Sequence, residues 1–190
     1  MKKVALITGA ARGIGLASAK IFQENGYQVL ILDRDESALN ASAAEFSEAY
    51  PMLFDVSDPQ TGDVIAKEIM DKFGRLDSLV NNAGVAFFDP IEKINNETWH
   101  QVMATNLDGV FYLTQAVTPI LKQTKGTIVN TSSISGLRAS TLRVAYGTSK
   151  AAVMQLTKQQ AVELGEYGIR VNAVAPGPVR TKLSMAVHTQ

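Results

Sequence analysis

The chain has 190 residues, 46% of them apolar and 19% charged, no cysteine, and equal numbers of Lys plus Arg (18) and Asp plus Glu (18). That suits one domain with a sizeable core, and the balanced charge gives no broad footprint for nucleic acid or an acidic membrane surface. The lack of cysteine excludes disulfides, thiolate catalysis and cysteine-ligated metals, and sits easily in a reducing cytosol.

After Met1-Lys2-Lys3 the apolar run breaks at Thr8-Gly9, too soon for a secretory signal core, and no apolar stretch is long enough to span a bilayer. The expectation is a soluble cytoplasmic protein. In chain order, the pattern predicts a buried strand at residues 4–7 and a helix over 14–25 that stops at Gly26. A second strand at 27–32 ends at Asp33, a helix-compatible stretch covers 36–49, and a short strand lies at 52–54. A helix over 59–73 and a strand at 76–80 follow. A long helical segment, 97–122, carries Pro119, which is expected to bend or end it. The last elements are a strand at 126–130, a long helix over 145–165 and a strand at 169–175. Strands alternating with helices imply a parallel, doubly wound α/β sheet in three layers, with helices on both faces.

Between the first strand and first helix lies Thr8-Gly9-Ala10-Ala11-Arg12-Gly13-Ile14-Gly15. Glycines there allow a tight turn and close approach of backbone to a pyrophosphate, beside the free N–H groups of a helix N-terminus. The spacing is Gly-x-x-x-Gly-x-Gly rather than the commoner Gly-x-Gly-x-x-Gly, and glycines also make ordinary turns. The position after a buried strand, with Asp33 closing the next one, favours a Rossmann-type dinucleotide site. A carboxylate at Asp33 accepts bonds from ribose hydroxyls and repels a 2′-phosphate, so NAD is expected over NADP. Arg34 argues the other way, since a guanidinium there could pair with that phosphate.

Thr8-Gly9-x-x-x-Gly13-Ile14-Gly15, then Asn81-Asn82-Ala83-Gly84, then Ser133 with Tyr146-x-x-x-Lys150, then Pro176-Gly177 together resemble the short-chain dehydrogenase/reductases, in that family's order and spacing. The resemblance implies that Gly9, Arg12, Gly13, Ile14 and Gly15 belong to the cofactor site, with Asp33 and Arg34 at the adenosine ribose. It implies that Asp55 and Val56 contact the adenine, that Asn82, Ala83 and Gly84 lie under the adenosine side, and that Asn81 steadies the sheet. Pro176, Gly177, Val179 and Thr181 would hold the nicotinamide end. It assigns catalysis to Asn106, Ser133, Tyr146 and Lys150, with Asn106 holding a water that links Lys150 to solvent and Lys150 also bonding the nicotinamide ribose.

The residue types suit that chemistry. Tyr146 and Lys150, four apart on a helix, share one face. A tyrosine ordinarily titrates near ~10, and a neighbouring ammonium makes such a hydroxyl a usable proton donor and acceptor at neutral pH. Ser133 follows a strand at the sheet edge where ligands bind, and its hydroxyl could bond the substrate oxygen. Singly, each has a plainer reading: a surface Tyr–Lys pair, loop serines at 132, 133 and 135 satisfying local backbone, a polar asparagine on a helix. Jointly they point to one site. His100 and His188 lack a ligand spacing, so no metal is expected, and no Gly-x-Ser-x-Gly elbow supports a hydrolase. Phe87-Phe88 either lines a substrate mouth or packs a loop.

The expected activity is hydride transfer between NAD(H) and a secondary alcohol or ketone, a small-molecule substrate. An NADPH-dependent 3-oxoacyl-type carbonyl reductase is the alternative, and a non-catalytic dinucleotide sensor the alternative of another class. The resemblance also implies a substrate-covering segment, a helix and a last edge strand after Gln190, which are not in these residues. It further implies a homodimer or homotetramer through the two long helices, with Val110, Phe111, Leu113, Val153, Met154 and Leu156 as surplus apolar residues.

Overall fold

Every position of β1 (Val4–Thr8) is buried, because neighbours cover it on both faces. Val4 and Leu6 point into one core cluster and Ala5 and Ile7 into the other, as the two-residue period of a strand dictates. The computed structural model, which describes residues 1–179, builds a parallel sheet around this strand. Its other members are β2 (Gln28–Asp33), β3 (Ala49–Leu53), β4 (Ser78–Asn81), β5 (Thr127–Thr131) and β6 (Arg170–Val174), in the order β3-β2-β1-β4-β5-β6.

Helices close both faces. On one side α1 (Gly13–Glu24) and α2 (Glu36–Ala43) bring Ala19 and Leu39 against Ala5, Ile7, Val29 and Ile31. On the other, α3 (Thr61–Phe73), α5 (Gly109–Thr124) and α7 (Val144–Gly165) bring Ile65, Ile69, Leu113, Val117 and Leu164 against Leu6, Leu30, Leu79 and Ile128. This is the three-layer, doubly wound Rossmann-type arrangement. The chain reverses its direction of travel between β1 and β4, which opens a crevice at the carboxyl ends of those strands.

Several expected elements differ in detail. The segment expected as one helix over 97–122 is α4 (Asn96–Met103), a five-residue π-helical segment (Ala104–Asp108) and α5. Pro119 sits inside α5 without ending it, held there by Val117, Ile120 and Leu121 packed into the core. The helix expected to reach residue 49 stops at Ala43, and β3 begins at Ala49 and includes Pro51. A proline is tolerated because β3 is an edge strand paired only with β2. Ends capped by side chains are legible: Asp35 accepts from the Ala38 amide at the start of α2, and Asn95 from the Thr98 amide at the start of α4.

The count of surplus apolar residues on the long helices needs correction. Val110, Leu113 and Val153 are buried in this chain's own core, whereas Phe111 is exposed, as is Val162, which periodicity did not single out. Among the described residues no helix is long and apolar enough to cross a membrane.

Candidate active site

The turn after β1 depends on glycine at three points, one of them Gly13, whose φ is +55°. Gly9 has φ +62°, in the left-handed region, and a Cβ there would lie 2.9 Å from Ala83 Cα. A Cβ on Gly15 would lie 2.2 Å from the Gly9 carbonyl oxygen and 2.6 Å from Asn82 Nδ2. Gly15 therefore packs helix against turn and does not line the cleft, while Gly9, Arg12, Gly13 and Ile14 do. Asn82 staples the turn from the other side, its Nδ2 donating to Thr8 O (3.0 Å) and Gly9 O (3.2 Å). Thr8 Oγ1 accepts from the amides of Asn82 and Ala83, both at 2.9 Å. Asn81 turns into the core and donates to Thr114 Oγ1 and Asn130 Oδ1, tying β4 to α5 and β5.

At one end of the cleft, Asp33 is held against the glycine turn. Its two oxygens accept from the amides of Ala11 (3.2 Å) and Asp35 (3.1 Å), leaving lone pairs on both for hydroxyl donors. Arg34 pairs with Asp55 (Nη1 to Oδ2, 3.2 Å), both lining the cleft, and Arg12 pairs with Asp35 at 2.6 Å. Burial raises the Asp55 carboxyl, but hydrogen bonds from Ser57 and Arg34 outweigh it and hold the group below the ordinary carboxylate value. Asp55 and Val56 line the same end, as do Asn82, Ala83 and Gly84.

At the other end three separate segments meet. The serines after β5 are sorted by their bonds. Ser132 spends its hydroxyl on the Lys150 carbonyl (2.7 Å), whereas Ser133 caps the short helix α6 (Ile134–Leu137) by accepting from the Ser135 amide (3.1 Å). Among the described residues the Ser133 hydroxyl hydrogen has no acceptor, and Ser133 lines the cleft. Lys150, on α7, is 4% exposed and donates to the Thr131 carbonyl at 2.7 Å. Burial pushes its ammonium from the ordinary 10.5 down to about 8. Its Nζ lies 5.9 Å from the centre of the Tyr146 ring. Gly84 keeps the space above it open, since a Cβ there would stand 3.5 Å from Lys150 Nζ and 3.2 Å from Asn106 Oδ1.

Asn106 is fully buried in the π-helical segment and does not line the cleft. Its side chain accepts from the Val85 amide (2.8 Å) and donates to the Val85 carbonyl (2.9 Å) and to Ser149 Oγ (3.0 Å). That fixes the loop after β4 to the first turns of α7. Pro176, Gly177 and Val179 line the cleft beside α6, where the Ile134 amide donates to Pro176 O. Thr181 and His188 lie outside the described residues. Among the described residues no group of three or more metal-ligating side chains occurs.

Sequence reasoning missed Arg138 and Arg143, which line this end from the loop between Ser133 and Tyr146. Two basic residues between two candidate catalytic ones were the available signal. It also left the Phe87-Phe88 pair undivided. Phe88 lines the cleft with its ring 6.2 Å from that of Tyr146, while Phe87 does not line it.

The whole cleft has a volume of about 720 Å³. Its donor set fits a nicotinamide dinucleotide: uncapped amides at the start of α1, a carboxylate for ribose hydroxyls at Asp33, and a lysine ammonium at the far end. Fold and cleft together define a nucleotide-binding oxidoreductase. The chain belongs to the short-chain dehydrogenase family, whose model matches residues 3–190. It is 38% identical over 187 residues to a 3-oxoacyl-[acyl-carrier-protein] reductase of Thermotoga maritima, covering 96% of this chain and 76% of that one. It is 40% identical over 180 residues to a galactitol 2-dehydrogenase of Agrobacterium fabrum, covering 93% of this chain and 70% of the relative. The crystal structure of a 3-ketoacyl-(acyl-carrier-protein) reductase from Brucella melitensis complexed with NADH superposes with a TM-score of 0.93 at 33% identity, covering 96% and 78% of the two chains.

Proposed function

We propose that this chain moves a hydride between NAD(H) and a secondary alcohol or the corresponding ketone, with Tyr146 as the proton donor and acceptor. The observation that carries the reading is the convergence of Tyr146, Lys150 and the unspent Ser133 hydroxyl on one cleft that begins at the glycine turn. A bound nicotinamide supplies or accepts the hydride. Tyr146 gives a proton to the substrate oxygen, or takes one from it, as the carbon changes oxidation state. Ser133 donates its free hydroxyl hydrogen to the same oxygen. Lys150 holds a buried positive charge near the Tyr146 ring, and at neutral pH a group titrating at about 8 is mostly protonated. Asn106 acts as a positioning residue, through Val85 and Ser149. Gly9, Arg12, Gly13, Ile14, Asn82, Ala83 and Gly84 would hold the dinucleotide, with Gly15 supporting the turn from behind and Pro176, Gly177 and Val179 at the nicotinamide end.

NAD is favoured because the Asp33 carboxylate is fixed by two backbone amides against the turn, where it accepts hydroxyl bonds and repels a phosphate. Arg34, the residue that would favour NADPH, is engaged with Asp55. Relatives named as a polyol dehydrogenase and an oxoacyl reductase support chemistry at a CH–OH or carbonyl carbon. Exposed Phe111 and Val162 on α5 and α7 support association of copies through those helices. The test is a fluorescence titration with NADH and with NADPH, followed by turnover of secondary alcohols and ketones. NADH binding tighter than NADPH, with turnover, is expected. Tight NADH binding with no turnover on any of them would leave a dinucleotide sensor as the better reading.

A further inference from the structure

The charged groups of the cleft are distributed unevenly. At the adenosine end both arginines have carboxylate partners, Arg12 with Asp35 and Arg34 with Asp55, and Asp33 adds a further negative charge. At the other end Arg138, Arg143 and Lys150 line the cleft, no acidic residue lines it there, and none of the three has a carboxylate partner among the described residues. A pyrophosphate would rest on the amides of α1, a nicotinamide carboxamide is neutral, and Lys150 already serves the cofactor and Tyr146, so the cofactor leaves Arg138 and Arg143 unexplained.

Arg143 is also held in place. Its guanidinium lies 5.2 Å from the centre of the Phe88 ring, and its Nη1 donates to Ser140 Oγ (3.2 Å) and the Thr141 carbonyl (3.4 Å). The Phe88 ring in turn neighbours Tyr146, so Arg143 stands one ring beyond the proposed acid–base. The preceding residue, Leu142, has φ +61°, a left-handed backbone that a branched side chain adopts only at a cost. Contacts with Phe88, Ser140 and Thr141 hold Arg143 beside that strained turn. A guanidinium has five donors in a planar fork, and the remaining ones are free to take an anionic oxygen pair.

We infer that Arg143, with the more exposed Arg138 lining the same end of the cleft, recognises an anionic group of the substrate, a carboxylate or a phosphate set a few carbons from the reacting carbinol. The inference deepens the oxidoreductase reading above and rests on it. Association would neutralise clustered like charges in a partly desolvated cleft, which is where a charge-assisted pair contributes most.

The test compares kcat/KM for β-hydroxybutyrate and γ-hydroxyvalerate with that for their amides, and for glycerol phosphate with glycerol, at saturating NAD. At least one anionic member is expected to be preferred by ~10-fold or more, and the arm that shows it tells carboxylate from phosphate. Arg143→Gln should bring that ratio close to one, and Arg143→Lys should restore part of it, a pattern that mere loosening of the loop would not give. A wild-type ratio near one, or an equal loss on acid and amide in Arg143→Gln, overturns the inference. If the chain binds NADH without turnover, quenching of its NADH fluorescence by acetoacetate decides: saturable quenching weakened by Arg143→Gln supports the anion site, and no quenching overturns it. Failure to bind either NADH or NADPH strikes down the oxidoreductase reading itself, and the anion site with it.

Discussion

The two ends of the cleft are built differently. The end at the glycine turn is built on the backbone of residues 8–15, with Asp33 to Asp35 at the end of the neighbouring strand, and Asp55, Val56 and Asn82 to Gly84 close it from further along the chain. Both of its arginines have carboxylate partners, and its shape depends on the absence of a side chain at Gly15. The other end gathers Ser133, Tyr146 and Lys150 with loops after β4 and β6, and it keeps a lysine almost wholly out of water. One end is shaped by backbone geometry. The other holds the proposed acid–base and cations without carboxylate partners among the described residues, so substitutions there should change rate before they change folding.

The largest effect should come from the end that holds Tyr146. Tyr146→Phe should lower kcat by on the order of 10³-fold, within the usual worth of a positioned acid–base, while the NADH titration changes by less than about threefold, below ~0.7 kcal/mol. Loss of both together would erase the division between the ends. The steric counterpart is Gly15→Ala. Its added methyl would meet the Gly9 carbonyl at 2.2 Å, with backbone rather than a flexible side chain in the way. A stability loss of ~2–3 kcal/mol in urea unfolding is expected, along with a ~10-fold or greater loss of NADH affinity; normal binding at normal stability would mean that the turn is looser than its contacts indicate.

A smaller change should sharpen the cofactor choice. Asp33→Asn removes the charge that repels a 2′-phosphate, so NADH affinity should fall by ~10-fold while NADPH affinity holds or improves. Parallel titrations check this, and equal losses would count against the assignment. The subtlest test is pH. Because burial lowers the Lys150 ammonium from 10.5 to about 8, the folded chain binds fewer protons than the unfolded chain between those values. Stability of the cofactor-free chain should therefore rise with pH across that window, the penalty for a buried charge being present below it and relieved above it. Lys150→Met should remove this rise, measured as the difference between the two proteins' melting temperatures at matched pH, which cancels alkaline effects common to both.

Most of the fold was legible because buried parallel strands read as apolar runs, and glycine or a capping side chain marks many helix ends. Misreadings fell where tertiary contacts override local preference. Pro51 enters β3 because that strand is an edge, and Pro119 stays within α5 because its neighbours pack into the core. The π-helical turn around Asn106 has no local signature in a sequence whose helical pattern runs on either side. At the site, Tyr146 and Lys150 share a helix face and are visible at a spacing of four, and Asp33 is visible at the end of its strand. Residues that meet only through the sheet were not visible, such as Asn82 stapling the Gly9 turn across more than seventy positions.

Sequence alone determined the parallel α/β class, the glycine turn with its acid, and the Tyr–Lys pair. Each of these is local: a period, a spacing, or a residue type that a backbone conformation demands. Tertiary structure decided which serine keeps a free hydroxyl, that Asn106 braces a loop from outside the cleft, that Gly15 acts through packing, and that Arg138 and Arg143 face the cleft with no acid beside them. Those outcomes depend on which groups compete for the same hydrogen bonds and charges once distant segments are brought within a few ångströms, and residue order does not encode that competition locally.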